Sequence, residues 1–375
     1  MKYCITCLQP DTRPNTKFTI GGQCPACAYH STAQHIDWQE RFDILDDLIS
    51  HHRRKSRAGF DCIIGVSGGK DSTRQALWVR DKLGMNPLLV SLSHPPQQVS
   101  ELGVDNLSNL IELGFNVVLS SPAPGIWRDL MRDSFMKFTN WARSTELALF
   151  SSVPQMAIRY GIPLVFWGEN PALQVGDLKT MGSNGYDGNN LRNSNTLISG
   201  HSWMLEDGYP NKSIIPYFYP TEAEFSSAGI QIVFLGWFLG DWSLVNNGLY
   251  ACSQGLQIRH EGPDHTGDLL GLSNLDEDWH NMNQMIKYLK FGFGKVTEYV
   301  NESMRAGVMD RKNAVELVEM YDGKCSPDYI RSFCEFIGIS EENFWNHVHA
   351  STNQDLFDIQ SDGRITRKFK VGEGL

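Results

Sequence analysis

The sequence predicts an α/β fold built on a doubly wound, mainly parallel sheet, with a cysteine-rich module ahead of it and a helical region behind. Three observations carry this reading. Between residues 61 and 167, short apolar runs of strand length alternate with amphipathic runs of helix length, the rhythm of successive βαβ units. At the first strand-to-helix turn stands Gly65-Val66-Ser67-Gly68-Gly69-Lys70-Asp71-Ser72. Four cysteines, as Cys4-x2-Cys7 and Cys24-x2-Cys27, occupy the first 27 residues.

The cysteine pairs come first along the chain. Their spacing fits a tetrahedral Cys4 zinc ribbon over residues 1–35, each thiolate at about 2.3 Å from the metal. So short a segment cannot bury a core of its own, and the metal would supply its folding energy. A closed Cys4 shell leaves no open coordination position, so its work is architectural. Disulfides are the competing reading, but nothing else in the chain suggests an oxidising compartment. Residues 36–59 follow as a connector helix, with Phe42, Leu45, Leu48 and Ile49 at helical spacing.

Residues 60–255 carry the sheet. Strands are expected at 61–66, 87–92, 116–119 and 163–167, with helices at 71–83, 98–113, 126–138 and 146–160. The apolar run 230–239 reads as a late buried strand that closes the sheet. From 171 to 216 the periodicity dissolves into glycine and asparagine, which points to a lid or substrate loop, or to a disordered insertion. Asp177, Lys179 and His201 are polar candidates within it. Residues 256–375 read as a helical region, with helices near 298–306, 312–321, 328–337 and 341–348. Cys62, Cys252, Cys325 and Cys334 are scattered and read as packing residues.

Composition narrows the function classes. With 41% hydrophobic and 20% charged residues, the chain has the make-up of an ordinary soluble protein. No apolar core of a signal peptide follows Met1-Lys2-Tyr3-Cys4, and no stretch reaches the roughly 18 uninterrupted apolar residues of a membrane span. A cytoplasmic location is the default. A net charge of -10 argues against broad contact with nucleic acid. The local exception, His51-His52-Arg53-Arg54-Lys55-Ser56-Arg57, suits a solvated helix C-terminus, or else an RNA or anionic partner.

The octet at 65–72 occupies a phosphate-binding position. Paired glycines let the backbone approach a ligand closely, while the first-turn N–H groups and positive dipole end of the following helix favour an anion. Ser67 and Ser72 add hydroxyls, and Lys70 adds a charge. A Walker A loop would need glycine at 64 and Ser or Thr at 71, where this chain has Ile64 and Asp71. In a doubly wound sheet the ends of neighbouring strands face the same site. Ser91 and His94, after the second strand, are placed to meet adenine or ribose. Glu169 and Asn170, after the strand at 163–167, are placed near a triphosphate or the substrate. Glu169 could hold Mg2+ through oxygen ligands. Each could instead be a helix cap or turn residue.

The octet resembles the SGGxDS signature of the PP-loop, or N-type ATP pyrophosphatase, superfamily, whose members cleave ATP between its α and β phosphates. Further segments narrow the resemblance: the cysteine pairs, Trp167-Gly168-Glu169-Asn170-Pro171, Tyr288-Leu289-Lys290-Phe291-Gly292-Phe293-Gly294-Lys295, Arg305-Ala306-Gly307 and Tyr321-Asp322-Gly323. Together they look like the N-acetyl sugar amidotransferases of O-antigen and surface-polysaccharide biosynthesis. Lys295 departs from the Arg expected in many relatives; it keeps the cation and loses bidentate geometry.

The resemblance implies conversion of an acetamido group on a nucleotide-linked sugar into an acetamidino group. Transfer of AMP to the carbonyl oxygen gives an O-adenylyl imidate; ammonia adds to the carbon, AMP departs and an amidine remains. It also implies roles. Ser67, Gly68, Gly69 and Ser72 would bind pyrophosphate, Lys70 would neutralise phosphate charge, and Asp71 would bind Mg2+ or orient the loop. No glutaminase is expected in the chain, because Cys4 belongs to a metal pair and Cys252 lacks the setting of a nucleophile elbow. Separate glutaminase and cyclase-like subunits, similar to those of imidazole glycerol phosphate synthase, would then supply the ammonia. The competing reading is a PP-loop tRNA-modifying enzyme of the thiolation type, which the acidic charge disfavours and the basic run at 51–57 favours.

Overall fold

The computed structural model describes residues 1–33, 35–53, 55–56, 58–168 and 185–374. Five strands form one parallel sheet: β1 (Cys62–Gly65), β2 (Pro87–Leu92), β3 (Asn116–Ser120), β4 (Leu164–Trp167) and β5 (Gln231–Phe234), in the order β3-β2-β1-β4-β5. β1 and β2 are buried almost throughout, as the near-continuous apolar runs of a parallel sheet covered on both faces require. The strand expected at 230–239 is shorter than its apolar run. After Phe234 the chain turns through a 3-10 segment, Leu235–Trp237, and the remaining apolar residues pack as a corner.

Helices α1 (Pro25–Ala33), α2 (Trp38–Arg53), α3 (Lys70–Asp81), α4 (Glu101–Glu112), α5 (Pro124–Phe138) and α6 (Ala142–Tyr160) lie within the sheet-bearing half or lead into it. One apolar cluster unites Leu45 and Ile49 of α2 and Ala76, Leu77 and Val79 of α3 with the sheet. A larger cluster joins the sheet to Trp127 and Phe135 of α5, to Ala148 and Val153 of α6, and to the C-terminal helices. Arg53 of the basic run is spent internally, donating to Gly84 O at 2.6 Å beyond the end of α3.

The segment expected as a lid is described from Gly185 onward, and that part is no free loop. Leu191, Leu197, Trp203, Met204, Ile214 and Tyr217 are buried in the larger cluster. Short helical turns carry them, and glycine and asparagine broke up the periodicity that would have shown these anchors. Asp177 and Lys179 lie outside the described residues.

The C-terminal half holds α7 (Leu244–Ser253), α8 (Trp279–Phe291), α9 (Lys295–Arg305), α10 (Arg311–Tyr321), α11 (Pro327–Ile337) and α12 (Glu341–Ser351). It ends in an antiparallel hairpin of β6 (Phe357–Ile359) and β7 (Ile365–Arg367), where only helices were expected. Alternating Phe357 and Ile359 before an Asp362-Gly363 turn specify it. The N-terminal module sits on this half. Tyr3 and Leu8 share a cluster with Val296 and Val300 of α9 and Ala314 and Val318 of α10. Leu8 N donates to Asn301 Oδ1 at 2.7 Å, and Arg311 holds the carbonyls of Cys4 and Cys7 at 3.1 and 3.0 Å. Among the described residues no helix is long and apolar enough to cross a membrane.

Candidate active site

A cleft of about 420 Å³ opens beyond the carboxyl ends of β1, β2 and β4. The sheet order reverses between β1 and β4, so this is the switch point where ligands of such sheets bind. Gly65, Ser67, Gly69, Lys70, Asp71 and Ser72 line the cleft. Gly69 is the N-cap of α3 and no side chain caps the helix. The first-turn N–H groups therefore have no intrahelical partner and offer themselves to an anion. Gly68 has a φ of +80°, and a Cβ there would come within 3.0 Å of Leu107 N and 3.1 Å of Asn106 C on α4. Glycine is required twice over, by dihedral and by space. At Gly65 a Cβ would lie 2.8 Å from Val153 Cγ2, so α6 packs directly over the end of β1.

Lys70 Nζ pairs with Asp71 Oδ2 at 2.8 Å, and Asp71 Oδ1 accepts from Asn247 Nδ2 at 2.6 Å. Asn247 Oδ1 in turn accepts from Arg74 at 2.6 Å, and Arg74 pairs with Asp241 at 2.6 Å. Burial works against both charges of the Lys70–Asp71 pair; mutual attraction outweighs it, keeping the Lys70 ammonium above and the Asp71 carboxyl below their usual values. This chain ties α3 to α7 and fixes the Lys70 side chain at the cleft. Asp71 thus already acts on the loop's geometry.

Among the other expected residues, His94 lines the cleft while Ser91 does not. Ser91 is a buried residue inside β2, paired in register with Leu119. Side chains alternate along a strand, so Val90 and Leu92 face the cleft and Ser91 faces away. His201 stacks on Phe218, with ring centroids 3.9 Å apart, and is not among the residues lining the cleft. Glu169 and Asn170 lie outside the described residues. Cys252 is on α7, its thiol pushed up by burial, away from the cleft lining.

Much of the cleft wall is made of residues that the sequence did not single out. Segment 272–280 contributes Ser273, Asn274, Asp276, Glu277 and His280, and α6 contributes Glu146. The segment is latched to α4: Ser100 Oγ donates to Leu275 O at 2.6 Å, and Ser100 N to Asp276 O at 3.0 Å. Gly103 makes room, since a Cβ there would meet Asp276 Cα at 2.5 Å. Arg259 braces the other side through Asp278 at 2.6 Å and Asn274 O at 2.8 Å.

His94 Nε2 faces Asp276 Oδ2 at 3.2 Å. Burial disfavours both charges, but the pairing prevails, raising the His94 imidazole and lowering the Asp276 carboxyl. Glu277 accepts from Trp279 N and His280 N, each at 2.8 Å, and so caps α8. Burial, helped by Asp276, pushes its carboxyl up to about 7. Burial first, then the nearby Lys295 charge, pushes His280 down to about 4. Burial also raises Glu146, whose carboxylate accepts from Thr196 Oγ1 at 2.8 Å. The cleft therefore joins the uncapped, glycine-built start of α3 to a wall of acids and imidazoles with displaced pKa values, the pattern of a reacting site.

Elsewhere, the ligand atoms of Cys4, Cys7, Cys24 and Cys27 lie within 4.8 Å of one another and are buried. Thr6 N and Gln9 N point at the sulfurs of Cys4 and Cys7, both at 3.4 Å, and Cys24 N points at Cys4 Sγ at 3.2 Å. Four soft donors gathered in this way fit one tetrahedral metal ion.

Fold and cleft together define a parallel α/β protein with a glycine-built loop at the switch point of its sheet, a four-cysteine module and a helical C-terminal region. Residues 274–370 match the family model "LPS biosynthesis protein WbpG-like, C-terminal domain". That region of the chain is similar to the WbpG-like C-terminal domain, and over it the resemblance drawn from the KFGFG and Asp-Gly segments is borne out. No curated protein sequence matches the chain. Among solved structures it is similar to an NH3-dependent NAD synthetase from Campylobacter jejuni, at 15% identity over 58% of this chain and 84% of that one, with a TM-score of 0.27. It is similar to an NMN synthetase from Francisella tularensis at 14% identity over 60% and 99%, TM-score 0.27. A U34-tRNA thiolase, NcsA, from Methanococcus maripaludis shares 10% identity over 90% and 95%, also with a TM-score of 0.27. These likenesses are weak and bear on neither activity nor ligand.

Proposed function

We propose that the protein is an ATP-dependent amidotransferase of lipopolysaccharide biosynthesis, converting an acetamido group of a nucleotide-linked sugar into an acetamidino group. One observation carries the reading: the uncapped, glycine-built N-terminus of α3 opens into the same cleft as Asp276, Glu277 and His280 of the WbpG-like domain. A phosphate cradle of the PP-loop type thus shares one space with the part of the chain related to lipopolysaccharide biosynthesis.

ATP supplies an adenylyl group, and Mg2+ would neutralise its phosphates. The α3 N-terminus, Ser67, Ser72 and Lys70 hold the β and γ phosphates, while the Asp71–Asn247–Arg74 chain keeps Lys70 in place. The amide oxygen attacks the α phosphorus, pyrophosphate leaves, and the carbonyl carbon becomes electrophilic as an O-adenylyl imidate. Ammonia adds to that carbon, AMP departs with the former carbonyl oxygen, and an amidine is left. His94, whose charged form the neighbouring Asp276 carboxylate favours, sits beyond β2 where it can meet the negative charge of the nucleotide. Glu169 completes the Mg2+ site in this reading. Cys4, Cys7, Cys24 and Cys27 hold a structural Zn2+ that keeps the N-terminal module against α9 and α10. Separate glutaminase and cyclase-like subunits deliver the ammonia. Domain limits follow the same reading: residues 1–35 the ribbon, 36–59 the connector, 60–255 the ATP-binding domain, 256–375 the helical region.

The test is to incubate the protein with ATP, Mg2+, a high concentration of ammonium chloride and a UDP-diacetamido sugar. AMP, pyrophosphate and a sugar product in which O is replaced by NH are expected. Turnover of ATP without dependence on the sugar nucleotide would contradict the reading.

A further inference from the structure

The most distinctive segments of the C-terminal domain, KFGFGK at 290–295 and Tyr-Asp-Gly at 321–323, meet in space around one helix end. Asp322 Oδ2 accepts from Gly294 N at 2.7 Å and from Thr297 Oγ1 at 2.6 Å, and Oδ1 accepts from Val296 N at 3.0 Å. Gly294 is needed because a Cβ would lie 2.6 Å from Asp322 Oδ1. Gly323, with a φ of +80°, is needed because a Cβ would lie 2.3 Å from Tyr288 Cδ1. The product of this machinery is the placement of residue 295, the first of α9. Behind it, Val296 and Val300 pack on Tyr3 and Leu8 of the Cys4 module.

Lys295 lines the cleft that contains the α3 loop. Among the described residues no hydrogen bond or ion pair engages its ammonium, whereas the neighbouring Lys287 is paired with Glu298 at 3.1 Å and Lys70 with Asp71 at 2.8 Å. Its charge acts on both sides of the cleft, adding to the forces that hold Asp71 down and helping to push His280 down. A cation with no partner among the described residues, carried on backbone that Asp322 fixes beside the start of α3, has a phosphoryl group as its natural partner.

We infer that Lys295 is a second phosphate-binding cation, supplied by the C-terminal domain to the same ligand space as Lys70, so that nucleotide phosphates are clamped between two domains. This rests on the proposed use of the cleft for ATP and a nucleotide sugar. The bound phosphoryl group is either that of ATP or the diphosphate of the sugar nucleotide. Calorimetric titration of the full chain with Mg-ATP and, separately, with UDP distinguishes them, using wild type, Lys295→Gln and Lys295→Arg, each first matched in melting temperature. A loss of about ten- to a hundredfold in affinity for ATP, for UDP or for both in Lys295→Gln, largely restored in Lys295→Arg, is expected, and the ligand affected identifies the source. If wild type binds ATP and Lys295→Gln binds both ligands as wild type does, the inference falls and the proposed function stands. If wild type binds neither ligand, both fall. If Lys295→Gln alone melts early, Lys295→Arg and Lys295→Met take its place in the same titration, and equal affinities in those two overturn the inference.

Discussion

At the scale of single residues, the cleft depends on a few positions where no other side chain serves. Gly68 is one: its φ of +80° and the backbone of α4 at 3.0 Å exclude a Cβ. Gly68→Ala is expected to cost about 1–2 kcal/mol for the left-handed dihedral alone, with a further penalty from the contact, read as a lowered urea midpoint together with lost ATP binding. Glu277 gives a prediction in pH. A carboxyl raised from 4.5 to about 7 in the folded protein contributes stability that is fully present below 4.5 and lost as pH rises through 7. The melting temperature of wild type relative to Glu277→Gln should fall as pH rises from 4.5 to 7 and level off above it. A pH-independent difference would show that Glu277 stays ionised throughout, its burial offset by the bonds from Trp279 N and His280 N. The loop at 65–72 was legible in the sequence because its chemistry lies in consecutive residues. Asp276, Glu277 and His280 were not, since their role depends on Ser100 and Gly103 of α4 holding a distant segment over β2.

At the scale of elements, β1 through β4 and the helices between them fall close to where periodicity places them, because β1, β2 and β4 are buried almost throughout and read as apolar runs, while the partly exposed edge strand β3 keeps Val117 and Val118 as its apolar pair. Where apolar residues serve a corner and not a strand, as after Phe234, periodicity overruns the element. The β6–β7 hairpin escaped because its strands are three residues each, too short for alternation to stand out. Tyr-Asp-Gly was visible as a motif without a meaning; its meaning is the cap of α9. Asp322→Ala removes the acceptor of three buried bonds, and a loss of about 2 kcal/mol or somewhat more is expected from cap and burial together. Thermal unfolding measures that loss. An unchanged melting temperature would mean that Asp322 does not organise α9.

At the scale of the molecule, a cysteine module with no core of its own is fastened to the helix that presents Lys295. Arg13 pairs with Glu298 at 2.7 Å, Arg311 holds the Cys4 and Cys7 carbonyls, and Tyr3 and Leu8 fill a cluster with Val296 and Val300. Stripping the metal with a chelator should therefore raise amide hydrogen exchange in residues 295–321 as well as in residues 1–33, and reconstitution with Zn2+ should reverse both. Exchange confined to residues 1–33 would show that the module is an independent appendage.

The central claim is that the cleft activates an amide by adenylating its oxygen, and the fate of that oxygen tests it most directly. With the acetamido carbonyl isotopically labelled in a UDP-diacetamido sugar, and with ATP, Mg2+ and ammonium present, mass spectrometry of the released nucleotide should find the heavy oxygen in AMP. Label appearing in inorganic phosphate or in water, with unlabelled AMP, would mean that the oxygen never bonded to the α phosphorus, and the account would be wrong.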